Sequence, residues 1–444
     1  LLVSLSPAVA QVHEYNLKNG MKILVREDHR APVVVSQIWY KVGSSYEHNG
    51  ITGISHVLEH MMFKGTEKHP AGEFSRIIAE QGGRENAFTS DDYTAYFQTL
   101  EKSRLPISFE LEADRMRNLT LPKKEFDKER KVVIEERKMR TEDKPRSLTY
   151  EQFNASAFIS SPYRTPTIGW MDDLQALTVK DLKQWYERWY APNNATLVVV
   201  GDVDPDQVYT EAKKYFGNIS TSVIPELKPR KEQPQKGERR ITVKVPAELP
   251  YLLMGYHVPV LKTAEPEWEA YALEVMAGIL SGGSSARFPS RLVRQQQIAA
   301  SADVGYSLYA RQNQLFLIDS TPARGHSVAE VEQAIDNEIE DLKQNLVSED
   351  ELERIKAQVV ASDVYEKDSM FYQGMQMGIL ETVGLGWQRM EEYSDKVRAV
   401  TAEQIRQVAR KYLVPQNRTV AILQPLPIDN GQHPAGMPSG PAKE

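Results

Sequence analysis

The stretch Leu177–Val200, LTVKDLKQWYERWYAPNNATLVVV, recurs without a gap at Val400–Leu423 as VTAEQIRQVARKYLVPQNRTVAIL. The second copy begins 223 residues after the first, and the offset holds at Thr178 and Thr401, Tyr190 and Leu413, Pro192 and Pro415, Asn194 and Asn417, and Thr196 and Thr419. Each copy is an amphipathic helix, a turn of Pro-Asn type and an apolar strand. A match of this length is hard to reach by chance, even though helix–turn–strand units share some patterning. The offset is about half of the 444 residues, so the chain is expected to fold as two related domains of about 200 residues.

Outward from the repeat, strands and helices mix without a regular βαβ alternation. Asn19-Gly20 between Tyr15-Asn16-Leu17 and Met21–Val25 signals a hairpin. Val33–Val42 reads as a strand, residues 52–64 and 71–81 as helices, Tyr93–Leu100 as a strand, and 103–118 and 123–142 as long helices. The fold class is therefore α+β: two homologous α/β-sandwich-like domains, each a mixed sheet packed with helices. The segment around Pro225–Gly237 is rich in Pro and charge and poor in apolar residues, which predicts an extended linker. The expected divisions are 11–224 for the first domain, 225–240 for the linker, 241–426 for the second domain and 427–444 for a loose tail. Residues 1–10, LLVSLSPAVA, end in an Ala-Val-Ala cleavage-like triplet and read as the remainder of a secretory signal, which places the mature chain in the periplasm or outside the cell. An ordinary apolar strand is the alternative for that segment.

Composition removes several classes. Lys plus Arg number 54 and Asp plus Glu 61, for a net charge of −7 with no long basic block, so nucleic acid is not an expected partner. No stretch approaches the length of a membrane span. Cysteine is absent, which excludes a disulfide scaffold, a thiol nucleophile and any Cys-ligated metal site. A metal here must be held by His and carboxylates.

His56-Val57-Leu58-Glu59-His60 supplies such a set. With nine His in the chain, an H-x-x-E-H is expected by chance only about 0.01 times. On a helix, Ile54, Val57, Leu58, Met61 and Met62 form one apolar stripe, and His56, Glu59 and His60 share the opposite face. His residues at i and i+4 suit two ligands of one zinc, with Glu59 beside them as a base for a water. A third ligand is required. Glu129 and Glu136 are two helical turns apart on one face of the charged helix 125–140, with Val132 and Val133 between them. Carboxylates on an inward stripe are costly unless paired or bound to metal, so Glu136 is the candidate, with Glu135 as its competitor.

These residues resemble the inverzincin metallopeptidases, the pitrilysin and insulin-degrading group, whose motif inverts the thermolysin order. The resemblance covers nearly the whole chain. It implies a third ligand about 76 residues beyond the second His, which selects Glu136, and a supporting acid seven residues earlier, matched by Glu129. It also implies that Gly82-Gly83 and Asn86-Ala87-Phe88-Thr89-Ser90 belong to a substrate-binding edge strand, with Asn86, Ala87, Phe88 and Thr89 as the contact residues. The length is similar to that of half-sized bacterial members and of mitochondrial processing peptidase subunits, which implies a clam-like dimer around a chamber.

The expected function is that of a zinc endopeptidase acting on extended or unfolded peptides. One Zn2+ per chain sits on His56, His60 and Glu136, a zinc-activated water is the nucleophile, and Glu59 is the general base. The second domain lacks the motif; the corresponding region reads Ala277–Phe288. Many active relatives carry an Arg and a Tyr seven residues apart just beyond it. Here those positions are Val293 and Ala300, with Arg294 and Tyr306 out of place. A heterodimer with a homologous chain that supplies the pair is therefore favoured over a homodimer. The alternatives are a non-catalytic assembly or peptide-binding subunit and a metal-dependent hydrolase of non-peptide substrates.

Overall fold

The computed structural model describes residues 11–228 and 230–428; the expected signal remnant and nearly all of the expected tail lie outside them. Both copies of the repeat fold as their sequences indicate. Thr178 and Thr401 each cap a helix, Val179–Trp189 and Ala402–Tyr412, and each forms a reciprocal capping box with Asp181 or Gln404. After a short turn, each helix delivers its apolar strand into a sheet.

The first sheet contains β1 (Val12–Asn16), β2 (Lys22–Glu27), β3 (Val33–Tyr40), β4 (Arg84–Thr89), β5 (Thr94–Glu101) and β6 (Ala195–Gly201), in the order β1-β2-β6-β3-β5-β4. The second contains β7 (Arg239–Pro246), β8 (Tyr251–Val258), β9 (Ala299–Gly305), β10 (Gln314–Pro322) and β11 (Arg418–Leu426), in the order β7-β11-β8-β10-β9. The repeat strands take equivalent places. β6 runs parallel to β2 and antiparallel to β3, and β11 runs parallel to β7 and antiparallel to β8. The two sheets thus share one topology, with β1 added to the first through the Asn19-Gly20 hairpin. The architecture is α+β, two mixed sheets packed with helices.

Both faces of each sheet are covered, which is why β6 is buried at all seven residues. Leu197 and Val199 face a core built from the helices of the first half, among them Ile54–Met61, Leu105–Arg117 and Val179–Trp189. Val198 and Val200 face Met377 and Leu380 of helix Met370–Val383, which comes from the second half of the chain. The exchange is reciprocal. Helix Pro145–Ala157, from the first half, lays Phe153 and Ala157 against Leu253, Ala421 and Leu423 of the second sheet. Glycines permit the close approach. A Cβ on Gly378 would stand 2.0 Å from the Trp39 indole, and one on Gly255 would stand 2.6 Å from Phe153 Cζ.

The segment before β7 carries no regular structure, as its composition suggests, but it is fastened. Glu232 accepts from the N–H groups of Ile159, Ser160 and Ser161 at 2.8–2.9 Å, and Gln235 Nε2 donates to the Arg418 carbonyl at 2.6 Å. No helix among the described residues is long and apolar enough to cross a membrane.

Candidate metal centre

Helix Ile54–Met61 begins at Gly53, whose φ of +83° favours glycine, and no adjacent side chain caps it. Glu47 does so from six residues upstream, accepting from Gly53 N at 2.7 Å and Ser55 N at 2.9 Å. The helix buries Ile54, Val57, Leu58 and Met61 completely. His56, Glu59 and His60 lie half-buried on the other side.

Helix Lys123–Arg137 crosses that exposed face and brings both carboxylates with it. Glu136 Oε1 lies 3.8 Å from His56 Nε2, and Glu136 Oε2 lies 3.5 Å from His60 Nε2. One ligand atom from each of the three falls within 4.8 Å of the others, the only such cluster of three His, Asp or Glu residues among the described residues. Glu135, the competing carboxylate, points away to Lys138 at 2.8 Å and is 63% exposed. The expected inward stripe needs one correction. Val133 is fully buried, but Val132 is 48% exposed, because the helix rests on the His-bearing helix through a narrower seam than the i, i+3, i+4 pattern suggests.

Glu129 occupies a different position from Glu136. Its Oε2 is 3.3 Å from His60 Nδ1 and its Oε1 is 2.8 Å from Lys64 Nζ. A carboxylate on Nδ1 places the ring proton there and leaves the Nε2 lone pair toward Glu136. His56 is nearly buried, and desolvation pushes its imidazolium pKa down to about 3, so the ring is neutral and able to donate a lone pair. Arg140, at 2.5 Å, balances part of the charge on Glu136. Two imidazoles and one carboxylate, converging beside a further acid, fit a zinc ion with an open position.

That further acid is Glu59. Its Oε2 accepts from the Thr89 hydroxyl, and burial raises its pKa above the ordinary carboxyl value. Thr89 ends β4, the outer strand of the first sheet, so the site and the sheet edge are in direct contact. Asn86 is exposed and accepts from the Ala87 N–H at 2.9 Å, an N–H that an added strand could take instead. Phe88 turns the other way. Its ring packs on Trp39 and Tyr93, at centroid distances of 5.4 and 6.2 Å, so only its main chain lies along the edge. Sequence reasoning missed the roles of Thr89 as partner of Glu59 and of Glu47 as cap, neither of which has a spacing signal.

In the second half, Val293 is packed against the core and Ala300 is exposed on β9. Arg294 is also exposed, and the Tyr306 hydroxyl donates to the Pro259 carbonyl at 2.7 Å. None of the four is hydrogen-bonded or ion-paired to His56, His60 or Glu136 among the described residues.

Residues 22–169 match the family model described as insulinase, peptidase family M16, and residues 176–359 match the model described as the peptidase M16 inactive domain. A protein named zinc protease PqqE, from Helicobacter pylori, is 35% identical over 345 residues, covering 77% of this chain and 76% of its own length. The chain belongs to the M16 peptidase family. This M16 chain is also 26% identical over 418 residues to a Bacillus subtilis protein named as an uncharacterized zinc protease, YmxG, covering 93% of this chain and 98% of the relative. The solved structure of a protease from Helicobacter pylori superposes with a TM-score of 0.89 at 30% identity, over 94% of this chain and all of the other. The periplasmic protease PqqL of Escherichia coli shares the fold, with a TM-score of 0.78 at 19% identity; the M16 chain covers only 47% of that longer protein.

Proposed function

We propose that this M16 chain is a zinc-dependent endopeptidase that hydrolyses extended or unfolded peptides. The observation that carries the reading is the convergence of His56, His60 and Glu136 beside a carboxylate, Glu59, that is itself tied to the edge strand through Thr89. His56, His60 and Glu136 would hold one zinc. When bound, the ion supplies a Lewis acid for the scissile carbonyl and lowers the pKa of water. The remaining steps fall to the chain. β4 takes the peptide as an added strand, with Asn86–Thr89 providing main-chain hydrogen bonds that read shape rather than sequence. Glu59 takes the proton of the attacking water and delivers it to the leaving amine, a task suited to a carboxyl raised by burial. Thr89 fixes the direction of the Glu59 carboxylate. Glu129 orients His60.

The same reading makes the chain one half of a chamber. A homologous partner that brings an Arg/Tyr pair is favoured over a second copy, because Val293 and Ala300 cannot bind substrate as Arg and Tyr would. The length of PqqL, about twice that of this chain, is consistent with an assembly of two such units. Export to the periplasm rests on residues 1–10.

Glu59→Gln is expected to keep zinc at one ion per chain and to lose turnover of a quenched fluorescent peptide by at least about 100-fold. Wild-type turnover in that variant would remove Glu59 as the base. Chelation should abolish turnover of the wild-type chain, and added zinc should restore it.

A further inference from the structure

In the second half, Gly282 and Gly283 follow helix Trp268–Ser281, and Val359 lies on helix Glu349–Glu366. All three line one cavity of about 620 Å³. The cavity is bounded by helices Trp268–Ser281 and Glu349–Glu366.

The lining has a definite chemistry. Five tyrosines, Tyr93, Tyr306, Tyr309, Tyr372 and Tyr393, face the cavity, and no Lys, Arg or His does. The charged groups are all acids. Asp363 is already paired with Lys367 at 2.6 Å, and Glu366 is hydrogen-bonded to Tyr372. Glu274 is different. Its one hydrogen bond is from the Tyr393 hydroxyl at 3.4 Å, and no cation pairs with it among the described residues. Burial pushes its carboxyl up to about 7, the condition of an acid that lacks its counter-charge. Aromatic faces around a carboxylate without a partner are the surroundings an organic cation requires.

The cavity also connects to the proposed peptide path. Tyr93 belongs to the first half, four residues beyond Thr89, and Ser90 N bonds to Tyr93 O at 2.8 Å to close the turn between β4 and β5. The turn that ends β4 therefore stands at a wall of the hollow.

We propose that this cavity is a subsite for a cationic group of a bound peptide, the side chain of Lys or Arg or the terminal ammonium, with Glu274 as its counter-ion and the tyrosines as its walls. The proposal rests on the peptidase reading for the peptide that carries the cation, and it gives the second half a part in substrate choice.

The test uses decapeptides without charge except for a single Lys walked along the sequence, each compared with its norleucine counterpart and with and without N-acetylation. Affinities are measured by fluorescence anisotropy on the zinc-loaded Glu59→Gln chain, which does not consume them. At one or two positions Lys, or a free amino terminus, should tighten binding by about tenfold. Adding Glu274→Gln should bring that ratio to near one while leaving the affinity of the norleucine peptides unchanged. Equal affinity for all peptides, or a preference that survives Glu274→Gln, overturns the subsite. A Lys position whose effect persists after acetylation assigns the cavity to a side chain; an effect confined to the free terminus assigns it to the ammonium. Turnover by the wild-type chain is read separately. Hydrolysis of the norleucine peptides without a charge preference removes the subsite alone, and a preference without any hydrolysis removes the peptidase reading alone. Tyr309→Phe, which keeps the ring, should retain the preference, so a loss confined to Glu274→Gln is not a folding defect.

Discussion

Glu129 Oε2 lies 3.3 Å from His60 Nδ1, on the side of the ring opposite Glu136. A ligand imidazole held in this way has its tautomer and its direction fixed before any ion arrives. Removing such a partner commonly costs 10–100-fold in metal affinity. Glu129→Ala is therefore expected to weaken zinc binding by about 10–100-fold in a chelator competition, and Glu129→Gln, whose amide oxygen can still accept from Nδ1, by less. Unchanged affinity in both variants would mean that Lys64, the other partner of Glu129, is its purpose.

Trp39 seals the first sheet against helix Met370–Val383. It is completely buried, its Nε1 donates to Gln37 Oε1 at 2.9 Å, and Gly378 is in contact with its ring. The indole has nowhere to move. Gly378→Val is expected to destabilise the chain by about 3 kcal/mol or more, the cost of overpacking a rigid contact. Because the contact joins the two halves, the loss should appear as a lower midpoint of one shared unfolding transition. A variant in which the first half melts at its normal temperature would show that the helix exchange does not couple the halves.

Arg311 and Asp92 make the second joint. Arg311 Nε is 3.1 Å from Asp92 Oδ1, its NH2 donates to Ser45 at 2.7 Å, and its guanidinium stands 4.3 Å from the Tyr46 ring centroid. The Tyr163 hydroxyl donates to the same aspartate. Asp92 is 4% exposed, so taking away the cation leaves a buried charge. Arg311→Met should cost about 3–5 kcal/mol, and the double change Arg311→Met with Asp92→Asn should recover a good part of it. Denaturant midpoints of the wild type, both single variants and the double variant give the coupling directly. Strict additivity would show that the pair is not the joint.

The repeat made the common topology of the sheets legible, and the apolar stripe made legible the face of the helix that carries His56, Glu59 and His60. Both signals are local periodicities of one helix or one strand. The helix exchange had no such signal. Pro145–Ala157 and Met370–Val383 carry apolar residues whose pattern does not say which sheet they cover. The nearest clue was the glycines at 255, 374 and 378, which have meaning only once their neighbours Phe153, Gln37 and Trp39 are in place. Val132 shows the same limit from the other side. Its spacing from Glu129 and Glu136 fits an inward stripe, yet Val132 is 48% exposed while its neighbour Val133 is fully buried. The Glu274 cavity had no signal in the sequence, since its lining comes from segments as far apart as Tyr93 and Tyr393.

That cavity gives the last prediction, in stability rather than binding. Glu274 has its pKa raised from 4.5 to about 7 by burial, and the groups facing it do not relieve it. The tyrosines from the β4–β5 turn, the loop after β9 and the helices around it are neutral, Asp363 adds negative charge already matched by Lys367, and Glu366 is engaged with Tyr372. For an acid whose folded value is raised, the folded state binds the proton more tightly. The stability is fully present below pH 4.5 and falls as pH rises through about 7. Glu274→Gln has no such loss. The variant should match the wild type near pH 4.5 and exceed it by about 3 kcal/mol at pH 8, read as the difference in denaturant midpoint at the two pH values. A Glu274→Gln chain no more stable than the wild type at pH 8 would show that the carboxyl already has a counter-charge, and would leave the cavity with no call for a cation.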